Sequence, residues 1–356
     1  MSERFDILIV GGGIAGLSTA CHLAEAGATS IALVDRELVP GFYASGHNAG
    51  IARQLTGRME HSRLAVRGRN RLAEAGLLAP TGGLLLAAEA PSLDALEAEA
   101  HALGLAVQRG AGPGLPGLRA LAHLAVPSDG VIDVHGLLGH CARRARELGA
   151  ALRYGCAVEA IVPLADGFEV QTSDGLLRAG RLVNAAGAWA PELGRRAGGL
   201  DLELKPMRRH LAWSDLPWPQ DAPWAWWVDR PLYLRAESGG VLLCPCDESQ
   251  VEPPPPGIQP DTDPTALDDL CEQLTALAPE LMEAPIARAW SGLRTFSPDR
   301  RFVIGPDPLN PRLFWVAALG GHGMTTGLAV GELAARLLLE GGDHELAPGR
   351  FVRGQA

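Results

Sequence analysis

The sequence predicts an α/β fold: a βαβ core interrupted by a second, α+β unit built on an antiparallel sheet. Three observations predict it. An apolar run of strand length, Asp6-Ile-Leu-Ile-Val10, meets the glycines of Gly11-Gly-Gly13-Ile14-Ala15-Gly16 and then a helical stretch. A second apolar run, Ile31-Ala-Leu-Val, ends in Asp35. Late in the chain, Leu313-Phe-Trp-Val-Ala-Ala318 runs into a glycine turn, Gly320 to Gly327, and another helix.

The first two observations describe a Rossmann-like unit. Gly11 permits a tight turn, Gly13 lets the backbone approach a pyrophosphate, and Gly16 lets helix and strand pack closely. The helix N-terminus presents free N–H groups and a partial positive charge to an anion. Asp35 lies 24 residues after Gly11, close to the roughly 20-residue spacing of an acid that binds ribose hydroxyls. A lone Gly-x-Gly-x-x-Gly is a weak sign. Strand, helix and acid in order make it a dinucleotide site.

The remaining elements follow from periodicity and turn residues. Strand 5–10, helix 14–27 and strand 31–35 lead into a loop, Gly41 to Gly50. Helical patterns recur at 59–76, 92–103 and 134–149, the last with Arg143, Arg144 and Arg146 on its exposed side. Short strands fill 151–185, divided by the turns Asp166-Gly167 and Asp174-Gly175. Residues 200–250, rich in Trp, Leu and Pro, read as strands, and the proline-rich 251–264 as an exposed loop. Helix 265–277, strands near 286–296, 302–305 and 313–318, and a helix from about 325 to 340 complete the chain. The nucleotide domain is thus expected from 1–80, 133–200 and 286–356, with 81–132 and 201–285 inserted as the second domain.

Composition narrows the function. At 356 residues, with 47% apolar and 20% charged residues, the chain has ample core for one large or two interleaved domains. A net charge of −10 argues against nucleic acid as a partner. The six cysteines are scattered, and Cys244-Pro-Cys246 has the spacing of neither a zinc knuckle nor a redox pair. No metal site is read. Reduced thiols point to the cytoplasm, with attachment to the inner membrane face left open. The uncharged stretch Ile7 to Ala24 reads as a buried strand and helix, because three glycines at its centre make a poor membrane helix.

Three further blocks carry a family resemblance: Leu182-Val-Asn-Ala-Ala186-Gly187-Ala-Trp189, Ala289-Trp-Ser-Gly292-Leu-Arg294-Thr-Phe-Ser-Pro-Asp299, and Gly320-Gly321-His322-Gly323-Met324-Thr325 after its strand. With the first motif they resemble the FAD-dependent D-amino-acid oxidase, glycine oxidase and sarcosine oxidase family over essentially the whole chain. The D-amino-acid (D-arginine-type) dehydrogenase branch is the nearest match. The resemblance implies an FAD-binding domain with an inserted antiparallel-sheet α+β substrate domain. It implies FAD contacts from Gly11, Gly13, Ile14, Ala15, Gly16, Asp35 and Arg36, from the loop Ser45-Gly-His47-Asn48-Ala49-Gly50, and from Val158, Ala186, Gly187, Trp189, Gly292 and Gly320 to Thr325. An isoalloxazine ring, anionic at its pyrimidine edge when reduced, gains from the helix N-terminus after Gly321. The flavin is expected to be held non-covalently, since Gly292 stands where covalent relatives carry a cysteine.

Oxidation of an amino acid needs its carboxylate anchored, and Arg grips a carboxylate with two parallel bonds where Lys cannot. By resemblance Arg294, Arg208 and Tyr233 take that role, Thr325 is a weaker polar contact, and His322 contributes hydrogen bonding rather than proton abstraction. Strand alternation sends one of Arg208 and Arg209 inward and the other outward. The acid that would hold a guanidinium substrate is missing from Thr81-Gly-Gly-Leu-Leu-Leu86, and Arg53 adds positive charge. An apolar or acidic substrate is therefore expected. Trp213, Trp218, Trp224, Trp226 and Trp227 either wall a pocket or pack the sheet on its helix. The expected activity is oxidation of the Cα–N bond of a D- or N-substituted amino acid by hydride transfer to flavin N5, with oxygen, a quinone or a partner subunit as acceptor. A 2-hydroxy-acid dehydrogenase, a flavin-bearing subunit of a larger dehydrogenase and a non-catalytic FAD scaffold are the alternatives.

Overall fold

In the computed structural model, which describes residues 3–353, the opening βαβ unit lies within an eight-stranded sheet. Strand Glu3–Val10 runs parallel to Ile31–Asp35 on one side and to Gly175–Asn184 on the other. Ala151–Tyr154 extends the sheet beyond Ile31–Asp35, and Leu182–Asn184 pair in parallel with Leu313–Trp315. Such unbroken apolar strands suit a sheet covered on both faces, and Leu8, Ile9, Leu33, Val34 and Val183 are wholly buried. The carboxyl ends of these parallel strands open on one edge, where α/β sheets bind ligands.

The segment 151–185 contains one long strand where short ones were expected. The first half of Gly175–Asn184 pairs antiparallel with Gly167–Thr172 and its second half parallel to Leu313–Ala317, so its length serves two partners along one edge and Glu3–Val10 along the other. Both expected turns form.

Two helices aim their N-termini at the open edge. Ile14–Glu25 packs on Gly323–Glu340 through glycines: a Cβ on Gly327 would lie 2.4 Å from Ile14 Cγ1, and one on Gly331 2.1 Å from Ser18 Oγ. Only glycine permits this approach. The last helix begins at Gly323 rather than near 325, which puts Met324 and Thr325 in its first turn.

The second sheet has nine strands. Strand Ile286–Phe296 belongs to it, pairing with Lys205–Ser214 from Lys205↔Phe296 to Ser214↔Ile286. The boundary expected at 286 therefore falls within this sheet, and the chain re-enters the first sheet at Val303–Pro306. Helix Pro264–Leu277, capped by the Asp263 carboxylate, covers one face through Leu270 and Leu274 against Trp227, Leu234 and Leu243. The other face, with Leu211, Tyr233, Leu242 and Cys244, packs against Ala49 of the glycine loop. A small sheet of Ile51–Ala52, Leu78–Ala79 and Gly130–Ile132 lies beside that loop. Among the described residues, no helix is long and apolar enough to cross a membrane.

Candidate active site

A cavity of about 360 Å³ opens at the strand edge. Gly11, Gly13, Ile14, Ala15, Asp35, Arg36, Ser45, Asn48, Val158, Ala186, Gly187, Trp189, Gly320, Gly321, Gly323 and Met324 line it, as does Arg294. Its first end is backbone-built. Gly11 adopts φ +118°, and a Cβ there would lie 2.3 Å from Ala185 O. Gly16 does not line the cavity; a Cβ on it would stand 1.9 Å from Gly11 O, so it sets the turn under the helix. Ser45 Oγ accepts the Ile14 N–H at 3.0 Å. Asp35 accepts N–H bonds from Gly12 and, at 2.7 Å, from Glu37. Burial raises its pKa, against these two backbone bonds.

An aromatic cluster closes the Asp35 end. The Arg36 guanidinium lies 3.9 Å from the Trp189 ring centroid, and Trp189 meets Tyr43 at 4.5 Å. Arg36 also donates to the Tyr43 hydroxyl, which in turn donates to Glu37. Tyr43, Glu37, Glu192 and Arg196 line the cavity without having been singled out in the sequence. An aromatic residue inside a glycine loop was the available signal for Tyr43.

The loop Ser45 to Gly50 joins the two sheets. Asn48 donates to Ser45 O at 2.6 Å and accepts from Gly50 N at 2.7 Å, locking the turn, and Gly50 sits at φ +63°. His47 Nδ1 lies 3.1 Å from Ser291 O. A Cβ on Gly292 would stand 2.5 Å from His47 O. His47 and Gly292 thus seat the loop on strand Ile286–Phe296, Ala49 packs on the same sheet, and Gly50 turns against Ile132 and Arg235, all outside the cavity wall. None of them lines it.

Arg294 emerges at this seam. It is buried, donates to Leu293 O at 2.9 Å and to His47 O at 3.2 Å, and forms no ion pair with a carboxylate among the described residues. Burial pulls its pKa down from the ordinary arginine value. An isolated buried cation is costly unless an anion joins it.

The register of the second sheet corrects the placing of Arg208. Met207 stands opposite Arg294, and residues facing each other across a ladder share a face, as do alternate residues along a strand. Arg209 therefore lies on the Arg294 face and Arg208 on the opposite one. Arg208 pairs with Asp263 at 2.6 Å on the helix side. Arg209 is buried, pairs with Glu248 at 2.7 Å and lies in the field of Tyr233. Two residues apart in sequence is the same face; one apart is the other.

Tyr233 is buried and stacks on Trp226 with centroids 4.4 Å apart. Burial, reinforced by Cys244 and Cys246, raises its hydroxyl pKa well above the usual value, so it remains a donor. Of the five tryptophans, Trp226 faces this site, while Trp227 packs on the helix side and Trp224 in a separate core beside Leu85 and Leu124. Thr325 has another task than the one expected: its hydroxyl donates to Ile51 O at 3.0 Å and accepts from Arg53 N at 3.4 Å, tying loop to helix. His322, the N-cap of the last helix, is pulled down to about 3 by burial and by the nearby Arg53. It is neutral at physiological pH. A cluster of Cys21, His22 and Glu25 also forms on the first helix, with His22 engaged by Ser18 O and Glu25 by Arg144.

The site fits FAD. Glycine positions where a Cβ would clash hold the turn at the first helix, and the first N–H groups of two helices lack intrahelical partners where charge is to be met. A doubly wound sheet, a dinucleotide turn and a buried arginine at the far end define an FAD-binding oxidoreductase. The chain belongs to the DAO family of FAD dependent oxidoreductases, whose pattern matches residues 6–337. Among curated relatives it is 29% identical to mitochondrial dimethylglycine dehydrogenase of Mus musculus over 98% of this chain and 44% of that protein. It is 27% identical to human mitochondrial sarcosine dehydrogenase, over 98% and 41% respectively. The chain therefore spans under half the length of these relatives. Among solved structures, L-proline dehydrogenase from P. horikoshii superposes with a TM-score of 0.88 at 23% identity, covering 99% of both chains. Glycine oxidase from Geobacillus kaustophilus gives 0.81 at 24% identity, covering 98% of both. These structural likenesses establish the fold.

Proposed function

We propose that this chain oxidises the Cα–N bond of a D- or N-substituted amino acid to the imino acid, which water then hydrolyses to the 2-oxo acid. The observation that carries the reading is Arg294, a buried guanidinium at the end of the cavity with carbonyl partners and no ion-paired carboxylate among the described residues. A substrate carboxylate supplies the missing anion and is held in a fixed plane by the guanidinium fork. Tyr233 donates a further hydrogen bond to it. Bound FAD supplies the acceptor for the hydride that leaves Cα.

The neighbouring groups argue for the free amine as the reactive form. His322 is too weakly basic to take a proton near neutrality, and Asp247, the carboxylate in the field of Arg294, is engaged by His210. Arg294 and Arg209 disfavour a cationic ammonium in their field. The substrate amine thus loses its proton to solvent before hydride departs. Curated relatives named for dimethylglycine and sarcosine agree with an amine carried beside a carboxylate.

The experiment is anaerobic mixing of the FAD-loaded protein with D-amino acids, N-methylated glycines, L-proline and 2-hydroxy acids while the flavin absorbance near 450 nm is followed. Bleaching by amines supports the reading. Bleaching by hydroxy acids alone replaces it with a hydroxy-acid dehydrogenase, and no bleaching by any of them leaves a scaffold.

A further inference from the structure

The site holds a second cation that the proposed reaction does not use. Arg53 is half-buried, and its Nε donates to Leu55 O at 2.7 Å. Its terminal nitrogens have no hydrogen-bond partner among the described residues. The guanidinium lies over the Trp226 ring, 4.5 Å from the centroid, and Trp226 in turn stacks on Tyr233 at 4.4 Å. Its backbone N–H reaches Thr325 Oγ1, so the residue is anchored to the helix whose N-terminus faces the cavity. Arg53 is thus set at the site by three contacts and left without an anion by all of them.

Asp129 and Glu99 act on it only from a distance, and neither forms an ion pair with it. Asp129, buried nearby, accepts from Gln54 N at 3.1 Å and Gln54 Nε2 at 2.8 Å, and forms no ion pair with Arg53. Arg209 already has Glu248. Two cations without an ion pair among the described residues therefore bracket the Trp226–Tyr233 stack, Arg294 in the field of the tyrosine and Arg53 over the tryptophan. A substrate with one carboxylate would pair with one and leave the other without an anion. A substrate with two neutralises both.

Resting on the oxidase or dehydrogenase reading above, we infer that the substrate is an amine bearing two carboxylates, the first on Arg294 and the second on the Arg53–Trp226 shelf. Two kinds of molecule carry that chemistry: a 2-aminodicarboxylate, with the second acid on its side chain, and an N-carboxyalkyl amino acid, with the second acid on nitrogen.

The test uses the FAD-loaded protein and ligands that cannot be oxidised at a C–N bond. Diglycolate and methoxyacetate form one pair, glutarate and butanoate the other, and each is titrated by its perturbation of the flavin spectrum. The wild-type protein should bind a dicarboxylate at least tenfold more tightly than its monocarboxylate partner. Anaerobic bleaching of the flavin by iminodiacetate or by D-aspartate and D-glutamate then tells whether the second acid sits on nitrogen or on the side chain. Arg53→Met should abolish the preference and leave monocarboxylate binding within about twofold, whereas Arg294→Met should weaken both. Arg53→Lys, which keeps charge, should restore part of it. If Arg53→Met weakens both members of a pair equally, Arg53 shares the first carboxylate and the inference is overturned. Unchanged ratios overturn it too, leaving Arg53 as packing for Trp226. Bleaching by monocarboxylate amines with no dicarboxylate preference sinks the inference alone, while absence of bleaching by any amine sinks the parent reading. Should Arg53→Met lose flavin, Arg53→Gln carries the same comparison.

Discussion

The two ends of the cavity are made of different materials. At the Asp35 end the ligand surface is backbone: Gly11 at φ +118°, a helix N-terminus, a serine holding the Ile14 N–H, and one carboxylate tied to two amides. At the Arg294 end the lining charge is one side chain on a sheet strand, Arg294, with Arg209 and Tyr233 in its field and Trp226 and Arg53 stacked beyond the tyrosine. The first end tolerates little change because each position is fixed by close contact. The second tolerates change of shape more readily than change of charge, because Arg294 is set by register and has no ion pair among the described residues. A family can therefore keep its cofactor while changing its substrate.

The sharpest way to separate the ends is Arg294→Met. Removing a charge-assisted pair in a desolvated site costs roughly 2–5 kcal/mol, so kcat/KM should fall about 30- to 1000-fold or more at about 1.4 kcal/mol per tenfold. Flavin content should stay near wild type, and Arg294→Lys should recover part of the rate. The measurement is reductive half-reaction kinetics with a substrate found by bleaching. Loss of flavin together with rate would break the comparison, showing that the bond from Arg294 to His47 O holds the cofactor loop.

Asp35→Ala is the matching test at the other end. Hydrogen bonds to a charged group contribute about 1.5–3 kcal/mol, so FAD affinity should drop about 10- to 150-fold while any residual holoenzyme turns over normally. Asp35 also holds the Gly12 amide, so Asp35→Asn, which keeps an acceptor, should lie between the two. Equilibrium titration of apoprotein with FAD checks this, and wild-type affinity in both variants would remove Asp35 from the ribose.

Gly16→Ala probes backbone geometry without touching the cavity. Its Cβ would meet Gly11 O at 1.9 Å, and overpacking of this kind costs about 1–3 kcal/mol. The denaturant midpoint should fall and FAD affinity with it. An unaltered midpoint would show that the helix can slide on its strand.

The smallest effect concerns pH. His322 and His61 are depressed to about 3 and about 4, chiefly by burial. A histidine held neutral in the fold takes up protons more readily when unfolded, so stability is full above pH 6.5 and is lost as pH falls toward these values. The unfolding midpoint should therefore decline from pH 7 to pH 5, and His61→Gln should flatten part of the decline. In the same range kcat/KM should rise with pH along the substrate amine's own titration, with no limb from His322. A limb near pH 6.5 that vanishes in His322→Gln would make His322 the base.

Much was legible in the chain itself. The glycine spacing at Gly11, Gly13 and Gly16 with Asp35 downstream announced the nucleotide unit, because a tight turn, a close helix and a ribose acid are local demands written within thirty residues. Element positions followed from periodicity, and Arg294 stood in a block that resembles a known family. Choosing between Arg208 and Arg209 required the register Met207↔Arg294, since alternation says that neighbours diverge without saying which faces the site. The joining of Trp226 to Arg53, across some 170 residues of chain, and the engagement of the Thr325 hydroxyl by Ile51 O likewise arose only when the two sheets closed on the loop between them. Local backbone geometry is encoded by neighbours in sequence; which charges end without partners depends on every element that packs around them, and only the tertiary structure decides that.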